Sequence, residues 1–390
     1  MRVRKIQEEE LLESLKLSMY AFQYEVKEED IPNRIMKAKQ HNILSIWDEE
    51  KLAAKLHIIP LSIYINGKVQ QMGGVAGVAT YPEYRRLGYV KELITEALKE
   101  MKDKGQILSL LHPFDIGFYR KYGWEVFADN KKTIIESKDL KILPVTEGTI
   151  KRYTKDLHCS LIENLYSKVA SKYAGALVRS TDWWINNVYS DYQIAVYFNR
   201  NGEEKGYILF KVKDKLMDVQ EMVTLDHEAA RGLWNFICQH DSMVDKVKVM
   251  TSMHDSFPYY LHQPKVSMEV IPYFMSRIVD VEKFLRAYNF LSTNEQVFLH
   301  VTDPYASWNS CTFLIKDGEV KAFREKEGSS CTHPPKVGIQ MSVNDLTAIT
   351  FGYKRPIELY EMEKIKGRLE DVMALEKKVP PLKPFFYDFF

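Results

Sequence analysis

The chain has 390 residues, too many for one ordinary hydrophobic core, so two or three domains are expected. Lys and Arg together number 54 against 53 Asp and Glu, a balance that gives no overall support for nucleic acid or an anionic membrane surface as partner. Cys159, Cys238, Cys311 and Cys331 are scattered with no Cys-x-x-Cys pair, which argues against structural zinc and a disulfide framework and for reduced thiols in a cytoplasmic protein. The first residues turn acidic without an apolar signal core, and no stretch approaches the roughly 18 apolar residues of a membrane span.

In chain order, residues 2–6 predict a strand, and Glu8 to Met19 a helix with Leu11, Leu12 and Leu15 on one face. A second helix is expected near Asp30–Lys39. Asn42–Asp48 and Lys51–Ile59 read as a hairpin, and Asn66-Gly67 marks a tight turn between two further strands. Val75 to Ala79 reads as a buried strand that Pro82 stops, because proline cannot donate to a ladder. Arg85, Arg86 and Gly88 follow, and then Val90, Leu93, Ile94, Ala97, Leu98 and Met101 recur at helical spacing. A basic, glycine-containing turn between a strand and a helix presents free N–H groups and the positive end of the helix dipole, which suits a phosphate. The arginines add charge-assisted hydrogen bonds. Ile107–Leu111 reads as a buried strand, Asp115 to Gly123 as a short helix ended by glycine, and a last strand starts at Trp124.

Further on, Thr154–Ser167 and His227–Gln239 carry helical periodicity, and residues 193–198, 206–212 and 215–223 read as successive strands. Arg179 and Asp182-Trp183-Trp184 are expected to pack between domains rather than to line a pocket. Ser276 opens a third unit with a short strand and a helix, residues 298–304 and 308–318 are strand-like, and Asn344-Asp345-Leu346 reads as a helix cap and start. Asp303 directly precedes Pro304 and fits a turn. The tail from Pro384 to Phe390 is so aromatic that exposing it would invite aggregation, so it is expected to be buried and to thread toward another domain. His112, His254, His262 and His333 show no ligand spacing, and no Gly-x-Ser-x-Gly elbow is present.

Arg85-Arg86-Leu87-Gly88-Tyr89-Val90 resembles the acetyl-CoA loop of the GNAT N-acetyltransferases, departing from Arg/Gln-x-x-Gly-x-Gly/Ala only at Val90. The segment from Phe118-Tyr119 to Tyr122-Gly123-Trp124 resembles their Phe-Tyr-x-x-x-Gly-Phe/Tyr element. The second unit is similar to a GNAT sheet that lacks the loop. Arg277-Ile-Val-Asp-Val, Ser342-Val-Asn-Asp-Leu-Thr and Phe351-Gly-Tyr resemble the sterol-carrier-like domain of the Eis (enhanced intracellular survival) proteins. Over nearly its whole length the chain thus resembles an Eis-like N-acetyltransferase.

That resemblance implies an α/β chain of α+β type. A catalytic GNAT domain would span 1–150, a degenerate GNAT-like domain 151–273, and a sterol-carrier-like domain 274–390. It implies acetyl transfer from acetyl-CoA, without a metal, to a primary amine of a cationic multi-amine such as an aminoglycoside, or of a lysine-containing acceptor. The assembly would be a homo-oligomer, a hexamer by resemblance. Val78, Ala79 and Thr80 would pair with the pantetheine, Arg85, Arg86, Leu87, Gly88, Tyr89, Val90 and Lys91 would hold the pyrophosphate, and Phe114 and Asp115 would lie beside the pantetheine. Tyr119 would be the general acid, since a phenol of pKa about 10 is protonated at neutral pH and can reprotonate a departing thiolate. The carboxylate of Phe390 would enter the active site. With a pKa of about 3.5 it is a weak base for an amine, so it is expected to act through a water while orienting the ammonium. A different class of function is also open: a ligand- or lipid-binding protein acting through the sterol-carrier-like unit.

Overall fold

The computed structural model describes residues 2–144, 147–255, 257–323 and 337–390; Cys331 and His333 lie outside them. The first unit runs β1 (Arg4–Lys5), α1 (Leu11–Phe22), α2 (Ile31–Ala38), β2 (Asn42–Asp48), β3 (Lys51–Ile65), β4 (Lys68–Thr80), α3 (Tyr89–Asp103), β5 (Leu108–Leu111), α4 (Ile116–Lys121) and β6 (Glu125–Glu136). Asn66 and Gly67, both left-handed, make the turn between β3 and β4 that their sequence calls for. Helix α3 buries Leu93, Ile94, Ala97, Leu98 and Met101, the face set by their spacing.

The second unit runs β7 (Thr149–Tyr153), α5 (Ser160–Ala170), a single turn α6 (Thr181–Trp183), β8 (Gln193–Phe198), β9 (Glu204–Lys213), β10 (Leu216–Thr224), α7 (His227–Cys238), β11 (Lys246–Thr251) and β12 (Ser267–Ile278). Among the described residues the two units share one sheet, in the order β1-β2-β3-β4-β5-β12-β6-β11-β10-β9-β8-β7. The late strand β12 crosses residue 273 and inserts between β5 and β6, pairing Met275–Ile278 with Leu111–Leu108, while β6 pairs with β11. Its sequence neighbours gave no sign of this crossing, because a buried strand reads the same in either sheet.

The third unit runs α8 (Val281–Ala287), β13 (Val297–Thr302), β14 (Cys311–Lys316), β15 (Glu319–Phe323), β16 (Ile339–Ser342), α9 (Val343–Phe351), α10 (Pro356–Glu361) and α11 (Leu369–Lys378). Its strands form a separate sheet, β15-β14-β13-β16. One core joins it to the large sheet, with Leu299, Phe313, Leu346 and Phe351 in the same cluster as Met72, Leu110, Phe127 and Phe274. Ser342, not Asn344, caps α9: its hydroxyl accepts the Asp345 N–H, and the Asp345 carboxylate accepts the Ser342 N–H in return. Asn344 instead donates to the carbonyl of Trp124 at 2.9 Å. Asp303 opens the turn at Pro304, its carboxylate accepting the Tyr305 and Ala306 N–H groups at 3.1 Å, and it is buried there. It accepts two bonds from buried Arg277 of β12, and a third bond from Arg277 goes to the Tyr122 carbonyl at the end of α4.

Candidate active site

Helix α3 starts at Gly88, whose φ of 87° is left-handed, and no side chain caps its N-terminus. Arg86 beside it also has positive φ. Arg85, Arg86, Leu87, Gly88 and Lys91 are all exposed, and Tyr89 and Val90 are half-buried. The turn therefore offers an uncapped helix N-terminus flanked by cations, a suitable cradle for a pyrophosphate.

Upstream of that turn, β4 loses its neighbour. The parallel ladder with β5 ends at the pair Gly74 and Leu110, while the pairing with β3 continues to Thr80. Residues 75–80 of β4, which include Val78, Ala79 and Thr80, thus have no ladder partner on the β5 side. The hydroxyl of Thr80 is buried and unpaired among the described residues. An unpaired strand edge and an orphaned hydroxyl fit the amide-bearing pantetheine arm of acetyl-CoA.

Tyr119 of α4 is 4% exposed and packs against Phe114, Phe118 and Trp124, in the cluster that also contains Val75 and Val78 of β4. Its hydroxyl has no partner among the described residues. Burial raises its pKa above the ordinary 10, which keeps the phenol protonated. Phe114 is exposed. Asp115 caps α4, its carboxylate accepting the Phe118 N–H at 2.5 Å.

A cavity of about 710 Å³ opens between β3, β4, α1, α2 and α6. Ala76 of β4, Asp182, Trp183 and Phe390 belong to its wall; Tyr119 and the Arg85–Lys91 turn do not. Phe390 reaches it because the tail is fastened along its length. The Ala174 N–H donates to the Lys383 carbonyl at 2.8 Å, and the Phe385 N–H donates to the Ala174 carbonyl at 3.1 Å. Phe385 and Phe386 are buried, whereas Phe389 is 62% exposed with its ring against His112. Gly74 makes the final seat: a Cβ there would stand 2.7 Å from the Phe390 ring. The end of the chain therefore sits where the β4–β5 ladder stops.

Arg179 does not line the cavity. It is buried, stacked 4.0 Å from the Tyr166 ring centre, and its guanidinium joins Glu221 of β10 to Asp388 of the tail. Asp388 also accepts from the Trp183 indole at 2.7 Å, and its carbonyl accepts from Tyr273. Sequence reasoning missed Glu221 and Asp388 because their partner lies 42 and 209 residues away. It also missed three nitrogenous side chains in the cavity wall, His41, Lys55 and His57. Lys55 and His57 sit in an apolar strand run, and their i, i+2 spacing, which puts both on one face, was the available signal.

Two acetyltransferase (GNAT) domain models match residues 2–127 and 175–278, and a sterol carrier protein domain model matches 281–387. A Streptomyces avermitilis protein described as an uncharacterized N-acetyltransferase is 19% identical over 90% of this chain and 88% of its own. The Eis N-acetyltransferase of Mycobacterium tuberculosis is 21% identical over 50% of this chain and 51% of its own. A crystal structure from Enterococcus faecalis V583, described as a probable N-acyltransferase, superposes with a TM-score of 0.91 at 26% identity, covering 100% of this chain and 99% of that one.

Proposed function

Since the chain belongs to the Eis-like branch of the GNAT N-acetyltransferases, enzymes that use acetyl-CoA, we propose that it acetylates a primary amine held in the cavity beside Phe390. The observation that carries this reading is the seat of Phe390 on Gly74, at the point where β4 leaves β5. The amine lone pair attacks the thioester carbonyl, the C–S bond breaks, the Tyr119 phenol gives its proton to the thiolate, and the proton shed by the acylated nitrogen passes through water to the Tyr119 phenolate. Backbone groups of Val78 to Thr80 hold the pantetheine and polarise the carbonyl. The Arg85–Lys91 turn holds the pyrophosphate. The Phe390 carboxylate orients the ammonium.

The proposed acceptor is a cationic multi-amine such as an aminoglycoside, held by Asp30, Asp182 and the terminal carboxylate. Arg34 and Lys37 of the same wall favour a second reading, an amine that also carries an anionic group. The test is CoA release from acetyl-CoA with an aminoglycoside and with an amino acid amine as competing acceptors. Turnover should fall by roughly 100-fold in Tyr119→Phe, the scale of a lost general acid, and fall also when two residues are appended after Phe390. Full activity of both variants would remove these groups from the mechanism.

A further inference from the structure

The cavity wall holds an unbroken line of bases that the proposed chemistry has not yet used. The two imidazoles meet through their Nδ1 atoms at 3.1 Å, His57 Nε2 lies 2.9 Å from Lys55 Nζ, and Lys55 Nζ donates to Ser18 Oγ at 2.5 Å. The outer nitrogen of His41, Nε2, has no partner among the described residues. Lys55 is fully buried, while His41 and His57 are partly exposed where they line the cavity. The His57 ring also abuts the bulge of β4: a Cβ on Gly77 would stand 3.2 Å from it. The line thus runs from the cavity wall to the bulge of β4.

Resting on the acceptor-cavity reading, we propose that His41, His57 and Lys55 form the path by which the acceptor ammonium loses its proton, His41 meeting the amine and Lys55 keeping the proton. The N–H bond of the ammonium breaks and an N–H bond forms at His41 Nε2. His41 Nδ1–H passes its proton to His57 Nδ1, His57 Nε2–H passes its own to the Lys55 lone pair, and neutral Lys55 becomes an ammonium hydrogen-bonded to Ser18. The electron pair left on the amine attacks the thioester. After product release the proton returns to water by the reverse path.

The surroundings make Lys55 the right terminus. Ser18 faces it from α1, and Ser45 of β2 and Ala79 of β4 stand opposite it in the ladders, while Ser14 Oγ lies 3.3 Å from His57 Nε2. Among the described residues no carboxylate forms an ion pair with it, and the cavity's acids are Asp30 and Asp182. Burial without an anion lowers Lys55 to about 7, while His41 falls to about 4 and His57 well below its ordinary value. The lysine is therefore the strongest base of the three and is poised to hold one proton near neutrality. The Phe390 carboxylate, a weak base, is left to orient the ammonium.

The test is the pH profile of kcat/KM for the amine from pH 6 to 9.5 in the wild type, Lys55→Met and His41→Asn. Both variants should lose roughly 100-fold near pH 7, and the gap should close as free amine accumulates at high pH, with KM for acetyl-CoA unchanged. His41 is only half-buried, so its variant decides the matter if Lys55→Met fails to fold. A gap of constant size at every pH, or no gap, overturns the path while leaving the acetyltransferase reading intact. No wild-type turnover with any primary amine overturns the acceptor cavity and the path together.

Discussion

Helix α3 of the first GNAT-like unit begins at a left-handed glycine with no side-chain cap among the described residues, whereas α7 of the second begins at Asp226, whose carboxylate accepts the Ala229 N–H at 2.8 Å. The first end attracts an anion, and the second has supplied its own. The strands before them differ in the same sense. Both carry a bulge, at 76–79 in β4 and at 219–221 in β10. Beside the first bulge lie Lys55, His57 and a cavity. At the second lies Glu221, locked to Arg179 and to the Tyr207 hydroxyl in a buried cluster that grips Asp388. One copy of the fold keeps an open helix end beside a cavity, and the other clamps the tail whose Phe390 reaches that cavity.

Breaking the clamp should have the largest effect on stability. Arg179→Met leaves Glu221 and Asp388 buried without a counter-charge, and the loss of one partner of such a pair costs about 3–5 kcal/mol. Urea denaturation should show that loss, and CoA release should fall with it as Phe390 loses its seat. A loss below about 1 kcal/mol would mean that the cluster does not secure the tail.

The corresponding change at the first bulge should give an effect that depends on pH and is smaller than the clamp's near neutrality. Folded Lys55 loses its proton near 7, against 10.5 for an ordinary lysine. Between those values the unfolded chain binds the extra proton, so the stability of the wild type relative to Lys55→Met should rise with pH by about 1.4 kcal/mol per unit. Below pH 7 lysine is charged in both states and the difference should be flat. A flat difference from pH 7 to 10 would show that Lys55 stays charged in the fold.

Much of this was legible in the residues. The Asn66-Gly67 turn, the strand–turn–helix around Gly88 and the aromatic tail all carry local signals, because turn chemistry and amphipathic spacing act over a few residues. The joints were not. Arg179 with Asp388, and Arg277 with Asp303, are ion pairs made by the tertiary fold; the expectation that Arg179 packs between domains names no partner for it, and nothing local joins Arg277 to Asp303. Asp303-Pro304 forms the turn its sequence calls for, but the sequence cannot show that an arginine lies over it. The exchange of β12 into the first sheet is similarly silent, since apolar strands carry no address.

Acetyl-CoA binding stoichiometry, measured by calorimetry on the wild type and on Gly88→Asp, tests the division of labour most directly. The account expects one acetyl-CoA per chain. It expects affinity to fall by roughly 100-fold, about 2.7 kcal/mol, when an acid is placed at the start of α3 as at the start of α7. Two acetyl-CoA per chain, or one that Gly88→Asp leaves undisturbed, would contradict it.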